Sequence, residues 1–426
     1  MGRTENNNYI DNGQHIRCPC QDGVMAYDVE QMRSDVPALR SGVAFFDGPG
    51  GTQTPTQVIS AISAALCDPL SDRPFVTPGE NAERIVAESR HALADFVGGV
   101  PDGIVFGRSA TQLTYDFSRA LAAAWGPDDE VVVTRLDHDA NVRPWVQAAE
   151  RVGATVRWVD FDPASTELIA ADVAPVLSER TRLVAVTAAS NLIGTRPPVA
   201  EIAALVHEAG ALLYIDAVHY AAHVLIDLDE LGADFVVCSP YKFLGPHLGV
   251  LASRPATLES LRPDKLLPQT DDVPERFEYG TLPYELLAGT TAAVDYLADI
   301  APGEGSGDRR TRLARSMAEI EKHEDDLRSH AEDGLGDLDG IIVWSRAAHR
   351  TPTLLMTFER HDAADAYHYL ASFDIAAPAG SFCAIEPSRR LGLGDAGGLR
   401  IGMAPYNNVD DVHRVLSALS DFIATR

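Results

Sequence analysis

Lys242 is the residue in this chain best suited to covalent chemistry. It stands in Asp234-Phe-Val-Val-Cys-Ser-Pro-Tyr-Lys242-Phe-Leu-Gly-Pro-His-Leu-Gly-Val250, where a short apolar strand runs into a polar turn and a Gly-Pro/Gly pair follows. Burial of a lysine at such a strand end lowers its pKa and keeps the amine nucleophilic. Upstream, Asp216 closes a second apolar strand, Ala211-Leu-Leu-Tyr-Ile-Asp216. An amine and a carboxylate at neighbouring strand ends are the pair that pyridoxal phosphate chemistry requires. The lysine forms a Schiff base, and the carboxylate keeps the pyridine nitrogen protonated so that the ring accepts electrons. Taken alone, the lysine reads more readily as a surface residue after a core strand.

Further polar groups follow other strands. Phe106-Gly-Arg-Ser-Ala-Thr111 opens a helical stretch. Backbone N–H groups around Ala110, with the Thr111 hydroxyl, suit a phosphate at a helix N-terminus, and an ordinary N-cap would look the same. Gly48-Pro-Gly-Gly-Thr52 lacks the Lys-Ser/Thr of a nucleotide P-loop. It permits close backbone approach to a substrate at Gly50, or a plain turn. His138, in Leu136-Asp-His138-Asp-Ala-Asn, suits stacking over a flat cofactor, although a lone histidine is more often structural. Asn191, after the strand Leu183–Thr187, offers an amide to a ring oxygen or forms a turn.

The elements that must position these groups alternate in type. Apolar β-rich runs at Ile104–Phe106, Val131–Thr134, Thr155–Val159, Leu183–Thr187, Leu212–Ile215, Phe235–Val237 and Gly249–Ala252 are separated by helical spacing over Glu83–Val97, Leu113–Ala124, Val142–Val152 and Val199–Ala209. This predicts an α/β fold with a mostly parallel seven-stranded sheet buried on both faces, whose ligands bind beyond the carboxyl ends of the strands. Ala301-Pro-Gly-Glu-Gly-Ser-Gly-Asp308 breaks the pattern. A charged helix over Arg309–Glu332, strands at Ile341–Trp344 and Leu354–Phe358, and helices over Ala363–Leu370 and Asp410–Thr425 follow, which predicts a smaller α+β C-terminal domain. The expected division is an N-terminal segment 1–45 packing with the small domain, a large cofactor-binding domain 46–300 and the small domain 301–426.

Composition narrows the function classes. With 426 residues, 46% hydrophobic and 23% charged, the chain is a globular protein long enough for two cores. A formal charge of −27 disfavours nucleic acid, whose phosphates demand cations. Cys18, Cys20, Cys67, Cys238 and Cys383 are scattered and odd in number, which argues for reduced thiols rather than a disulfide scaffold. His15, Cys18 and Cys20 match zinc spacing poorly, so no metal is expected. The polar N-terminus has no apolar signal region, and no run is long enough for a bilayer. A cytoplasmic protein without membrane contact is the expectation.

Taken in order, these segments resemble class V aminotransferases of fold type I, and most closely the group II cysteine desulfurases and their desulfurase-like relatives, from about Phe45 to the C-terminus. The resemblance implies that Lys242 is the Schiff-base lysine, Asp216 the partner of the pyridine nitrogen and His138 the stacking residue. It implies that Thr111, Ser239 and Tyr241 hold the phosphate, with Tyr241 replacing a histidine common among desulfurases. Asn191 matches the asparagine near the ring oxygen and substrate, and His219 stands where a glutamine usually touches the phenolic oxygen. Thr281, in Glu278-Tyr-Gly-Thr281-Leu-Pro, matches a threonine that reaches the partner subunit's phosphate, which implies a homodimer with shared active sites. Arg400, in Leu399-Arg400-Ile-Gly-Met-Ala-Pro-Tyr406-Asn407, matches the arginine that grips the substrate carboxylate, a task suited to a planar guanidinium.

Gly380-Ser-Phe-Cys383-Ala departs from that family. Cys383 aligns with the desulfurase nucleophile, but Ser381 and Phe382 replace histidines and Pro378 stands in place of an arginine. Without those cations the thiol is a weaker nucleophile, and a buried apolar role for Cys383 carries equal weight. The implied activity is cleavage of the Cβ–S bond of cysteine or a cysteine S-conjugate. The altered loop favours a lyase, which expels the thiolate and yields pyruvate and ammonia, over a desulfurase, in which Cys383 takes the sulfur and leaves alanine. Transamination, epimerisation or oxidative decarboxylation of a related amino acid is the alternative, and a non-catalytic binding protein the remaining one. The loops Pro69–Gly79 and Lys265–Tyr279 are expected to set substrate bulk.

Overall fold

The computed structural model describes residues 27–72, 76–301 and 307–425, so the expectation for His15, Cys18 and Cys20 lies outside the described residues. Seven apolar segments form one sheet: β1 (Ile104–Gly107), β2 (Glu130–Thr134), β3 (Thr155–Val159), β4 (Thr181–Thr187), β5 (Leu212–Asp216), β6 (Phe235–Cys238) and β7 (Gly249–Ser253). Their spatial order is β1-β7-β6-β5-β4-β2-β3, and only β7 runs against its neighbours. Successive side chains of a strand enter opposite cores. Val132, Val184 and Ile215 pack on one face, Val131, Leu183 and Tyr214 on the other. Burial of both faces explains why these strands read as unbroken apolar runs.

Helices cover the sheet where their apolar stripes allow. α1 (Thr77–Val97) ends at Gly98, which adopts φ +64, a left-handed stop that suits glycine. α2 (Ala110–Ala122) turns Leu113, Phe117 and Leu121 inward at helical spacing. The sequence places its start at Leu113. It begins instead at Ala110, because the Ser109 side chain accepts the Gln112 N–H at 3.1 Å and caps the first turn.

A second sheet is antiparallel throughout, in the order β10-β11-β9-β8: β8 (Ile341–Val343), β9 (Thr353–Phe358), β10 (Ala379–Gly380) and β11 (Gly398–Gly402). It packs with α3 (Arg309–Gly336) and α4 (Val409–Ile423) around a core of its own that includes Leu354, Leu399, Val415 and Phe422. Phe46 from the N-terminal side enters this core, and Ala44–Phe45 pairs in parallel with Ile375–Ala376. Contacts between the sheets are direct. Thr195 bridges Arg350, and the Thr351 N–H donates to the Gly194 carbonyl at 2.9 Å.

Candidate active site

Five strands of the large sheet end on one side, and each delivers polar groups there. β1 leads to Ser109, Ala110 and Thr111; β2 to His138; β4 to Asn191; β5 to Asp216 and His219; β6 to Ser239, Tyr241 and Lys242. From the second sheet come Arg400 on β11 and the turn holding Phe382 and Cys383. Together with Asp47 and Gly50 they line one cavity of about 330 Å³. All the expected site residues meet there except Thr281, which is exposed and lines separate cavities with Leu282. Described residues of the two loops expected to set substrate bulk likewise line another cavity. Ser71, Asp72, Gly79, Leu266, Pro268 and Gln269 line a cavity beyond α1.

Lys242 is 7% exposed, and its Nζ donates to the Pro49 carbonyl. Burial first, then the Arg400 charge, pushes its pKa down to about 8, against the pull of Asp47 and Asp216. Asp216 stands beside Thr187 and Val237 in the sheet register. The Val218 N–H bonds one of its oxygens at 2.9 Å, and burial still pushes the carboxyl up to about 6. A cationic ring nitrogen above it would relieve that burial.

His138 is held by its own turn. Its Nδ1 accepts the Ala140 N–H at 3.0 Å, so Nε2 is the nitrogen free to carry the proton. Burial, then Lys242, pushes its pKa down to about 4 and leaves a neutral, flat ring. Beneath the turn, Thr134 and Asn141 both donate to Asp137, Asn141 at 2.7 Å, and Trp145 Nε1 donates to Asn141 at 3.1 Å. Burial pushes the Asp137 carboxyl up to about 8.

The second sheet completes the cavity. Arg400 is 1% exposed; it donates to the Asn191 carbonyl at 2.9 Å and pairs with Asp47. The Phe382 ring covers its guanidinium, 3.6 Å from Cζ to centroid. Asn191 Nδ2 donates to the Phe382 carbonyl at 3.0 Å, and the Asp139 N–H to that of Cys383 at 2.8 Å. These two bonds latch a turn whose Phe382 and Cys383 adopt φ +53 and +57, a region costly for residues with a Cβ. Cys383 is exposed to the cavity and not a buried apolar filler, which corrects the weight given to that role. Sequence reasoning missed Asp47, whose pairing spans 353 positions, and gave no role to the Phe382 ring.

The donor set suits a flat, phosphorylated pyridine. Asn191 Oδ1 and His219 Nδ1 are buried without a hydrogen-bond partner among the described residues. The start of α2 lies so close to β7 that a Cβ on Gly249 would meet the Ser109 carbonyl carbon at 2.3 Å and the Ala110 nitrogen at 2.7 Å. That contact holds the first turn of a thirteen-residue helix, with its outward N–H groups, at the cavity wall.

Fold and site define a pyridoxal phosphate-dependent enzyme built on a mostly parallel sheet. The chain belongs to the class V aminotransferase family, whose model, "Aminotransferase class-V", matches residues 44–415. It is 31% identical over 399 residues to an uncharacterised protein of Mycobacterium tuberculosis, covering 93% of this chain and 99% of that one. It is 30% identical to a probable cysteine desulfurase of Mycobacterium leprae, covering 92% and 96%. Among solved structures, the cysteine desulfurase CsdA of Escherichia coli shares its fold, with a TM-score of 0.82 and 24% identity over 93% of this chain and 98% of the other. No helix among the described residues is long and apolar enough to cross a membrane.

Proposed function

We propose that this enzyme cleaves the Cβ–S bond of cysteine or a cysteine S-conjugate. The observation that carries the reading is one cavity lined by Lys242, Asp216, His138, Arg400 and Cys383. Similarity to relatives named as cysteine desulfurases supports the same chemistry. Bound pyridoxal phosphate supplies an electron sink for the carbanion at the substrate Cα. Asp216 would pair with the ring nitrogen, His138 would cover the ring face, and Ala110, Thr111, Ser239 and Tyr241 would hold the phosphate. Lys242 would anchor the cofactor and would move the proton at the substrate Cα; its lowered pKa suits it to that task. Arg400 holds the substrate carboxylate, which must share the guanidinium with Asp47.

Between the two routes we favour the lyase. The cysteine turn carries Phe382 and Pro378 where desulfurases carry cations, and an apolar ring beside the thiol suits a substituted sulfur. Lys242 and Arg400 line the same cavity as Cys383, which is the observation favouring a desulfurase as second reading. A homodimer supports either route, with Thr281 of each chain serving the other's phosphate. The small C-terminal domain, residues 301–426, would bring Arg400 and Cys383 to the cofactor held by residues 46–300. A cytoplasmic location fits both.

A product assay tests the reading. The cofactor-loaded enzyme is offered L-cysteine and an S-alkyl cysteine, and alanine and pyruvate are quantified. Pyruvate from the S-conjugate, undiminished by Cys383→Ala, is expected. Alanine from free cysteine, abolished by Cys383→Ala, would replace the lyase with a desulfurase. Neither product, despite an absorbance change on adding substrate, would sink Cβ–S cleavage itself.

A further inference from the structure

Arg400 carries its charge where water scarcely reaches. It is 1% exposed, the Phe382 ring covers its guanidinium, and Nη1 is spent on the Asn191 carbonyl at 2.9 Å. Its counter-ion is Asp47, bonded through Nη2 to one carboxylate oxygen. Nε is buried without a hydrogen-bond partner among the described residues. A guanidinium is a fork for two oxygens, and this one is half filled. Without Asp47 the empty enzyme would hold an unpaired buried cation, which is strongly destabilising.

Asp47 is freer than its partner. Its side chain is 42% exposed. Its main chain is pinned: the Asp47 carbonyl accepts the N–H groups of Gly50 at 2.8 Å and Gly51 at 3.0 Å, and the residue bridges Gly402 at the end of β11. Any movement therefore belongs to the side chain. Gly50 makes room for the carboxylate where it now lies, since a Cβ there would stand 2.1 Å from Asp47 Oδ2. Asp47 and Gly50 also line a second cavity of about 790 Å³, together with Thr52 and Gln53, which gives the carboxylate somewhere to turn.

A substrate carboxylate entering this cavity meets a cation already neutralised. Two carboxylates on one buried guanidinium leave one negative charge unpaired, and burying that charge is costly. The exposed one is the one able to leave. We propose that Asp47 is a stand-in for the substrate carboxylate: it pairs Arg400 in the empty enzyme and rotates away when a ligand carboxylate takes Nε and Nη2. The two share Arg400 by exchange rather than at once. Asp47 thereby sets how tightly the site holds carboxylates. It also selects against ligands without one, which cannot replace the pair they would break. This rests on the reading of Arg400 as the carboxylate site and on no particular fate of the Cβ–S bond.

Calorimetric titration of the full chain tests it, with β-(methylthio)propionate as the probe and its amide as the uncharged control. Neither carries an amine, so each can be titrated with or without pyridoxal phosphate and no reaction follows. The acid should bind Asp47→Asn about tenfold more tightly than the wild type, the scale of a hydrogen bond to a charged group that the ligand no longer has to win. The amide should gain nothing. A merely structural Asp47 predicts the opposite sign for the acid, because Arg400 would lose its place. Asp47→Ser, expected to act in the same direction, serves if Asp47→Asn misfolds. Acid affinity equal to or weaker than that of the wild type, or an equal gain for the amide, would overturn the proposal. Arg400→Gln should abolish binding of the acid. Binding that survives Arg400→Gln, or that is absent from every form of the chain, would instead overturn Arg400 as the carboxylate site, and the exchange with it.

Discussion

The reactivity of Lys242 depends on where the chain buries it. An amine attacks an aldehyde only when unprotonated, and burial moves its pKa down to about 8 from the ordinary lysine value. In the cofactor-free enzyme, the rate at which added pyridoxal phosphate develops its lysine-bound absorbance should climb with pH and level off above about 8. Between pH 7 and that plateau the gain should be about tenfold, since one proton separates the inert and reactive forms. Asp47 pulls the other way, because its carboxylate favours the charged amine. Asp47→Asn should therefore move the midpoint to lower pH, and stopped-flow absorbance across pH reads both effects. A midpoint near that of free lysine would show that the amine is not desolvated as its position requires. Lys242 and Asp216 are legible in the sequence because each ends an apolar run. Asp47 is not, because its significance depends on Arg400, which only the folded chain brings to it.

At the scale of elements, the proposed phosphate end of the site is set by how closely β7 passes the start of α2. Gly249 has no side chain, and a Cβ there would strike backbone atoms of Ser109 and Ala110, which cannot rotate aside. Gly249→Ala should push the helix start away from the cavity wall. Overpacking of this kind costs about 1–3 kcal/mol, so cofactor affinity should fall roughly ten- to hundredfold and the melting temperature should drop. Gly126→Ala is the control, because nothing lies within 4 Å of the added carbon. Fluorescence titration with pyridoxal phosphate, paired with thermal melts, separates the two; equal behaviour of both variants would refute the contact. The strands themselves were readable, since two-sided burial writes unbroken apolar runs into the sequence. The pairing of Ala44–Phe45 with Ile375–Ala376 was not, since two residues on each side leave no periodicity to read. The same limit hid β10, whose Ala379 and Gly380 align the cysteine turn against Leu399 and Gly398.

For the whole molecule, the role proposed for Thr281 would decide whether one chain makes a complete site. The segment bearing it is anchored at its base. Glu278 is buried, pairs with Arg90 at 2.8 Å and accepts the Phe106 N–H at 2.8 Å. Its tip is exposed, with Tyr279 at 43% and Leu267 on the neighbouring loop at 97%. An exposed hydroxyl that follows an anchored residue and lies outside its own chain's cavity is suited to a phosphate held by another copy. Thr281→Ala should then weaken cofactor binding about tenfold or more, the loss expected for a hydrogen bond to a charged group. The decisive measurement uses hybrid dimers of a Thr281→Ala chain and a Lys242→Ala chain at limiting pyridoxal phosphate. If the threonine serves the partner, the Thr281→Ala chain keeps its own lysine and receives the intact threonine of the Lys242→Ala chain. One site per hybrid is then wild type, and about half the activity returns. If the threonine serves its own chain, each site of the hybrid lacks one group, and activity stays at the level of the parent variants.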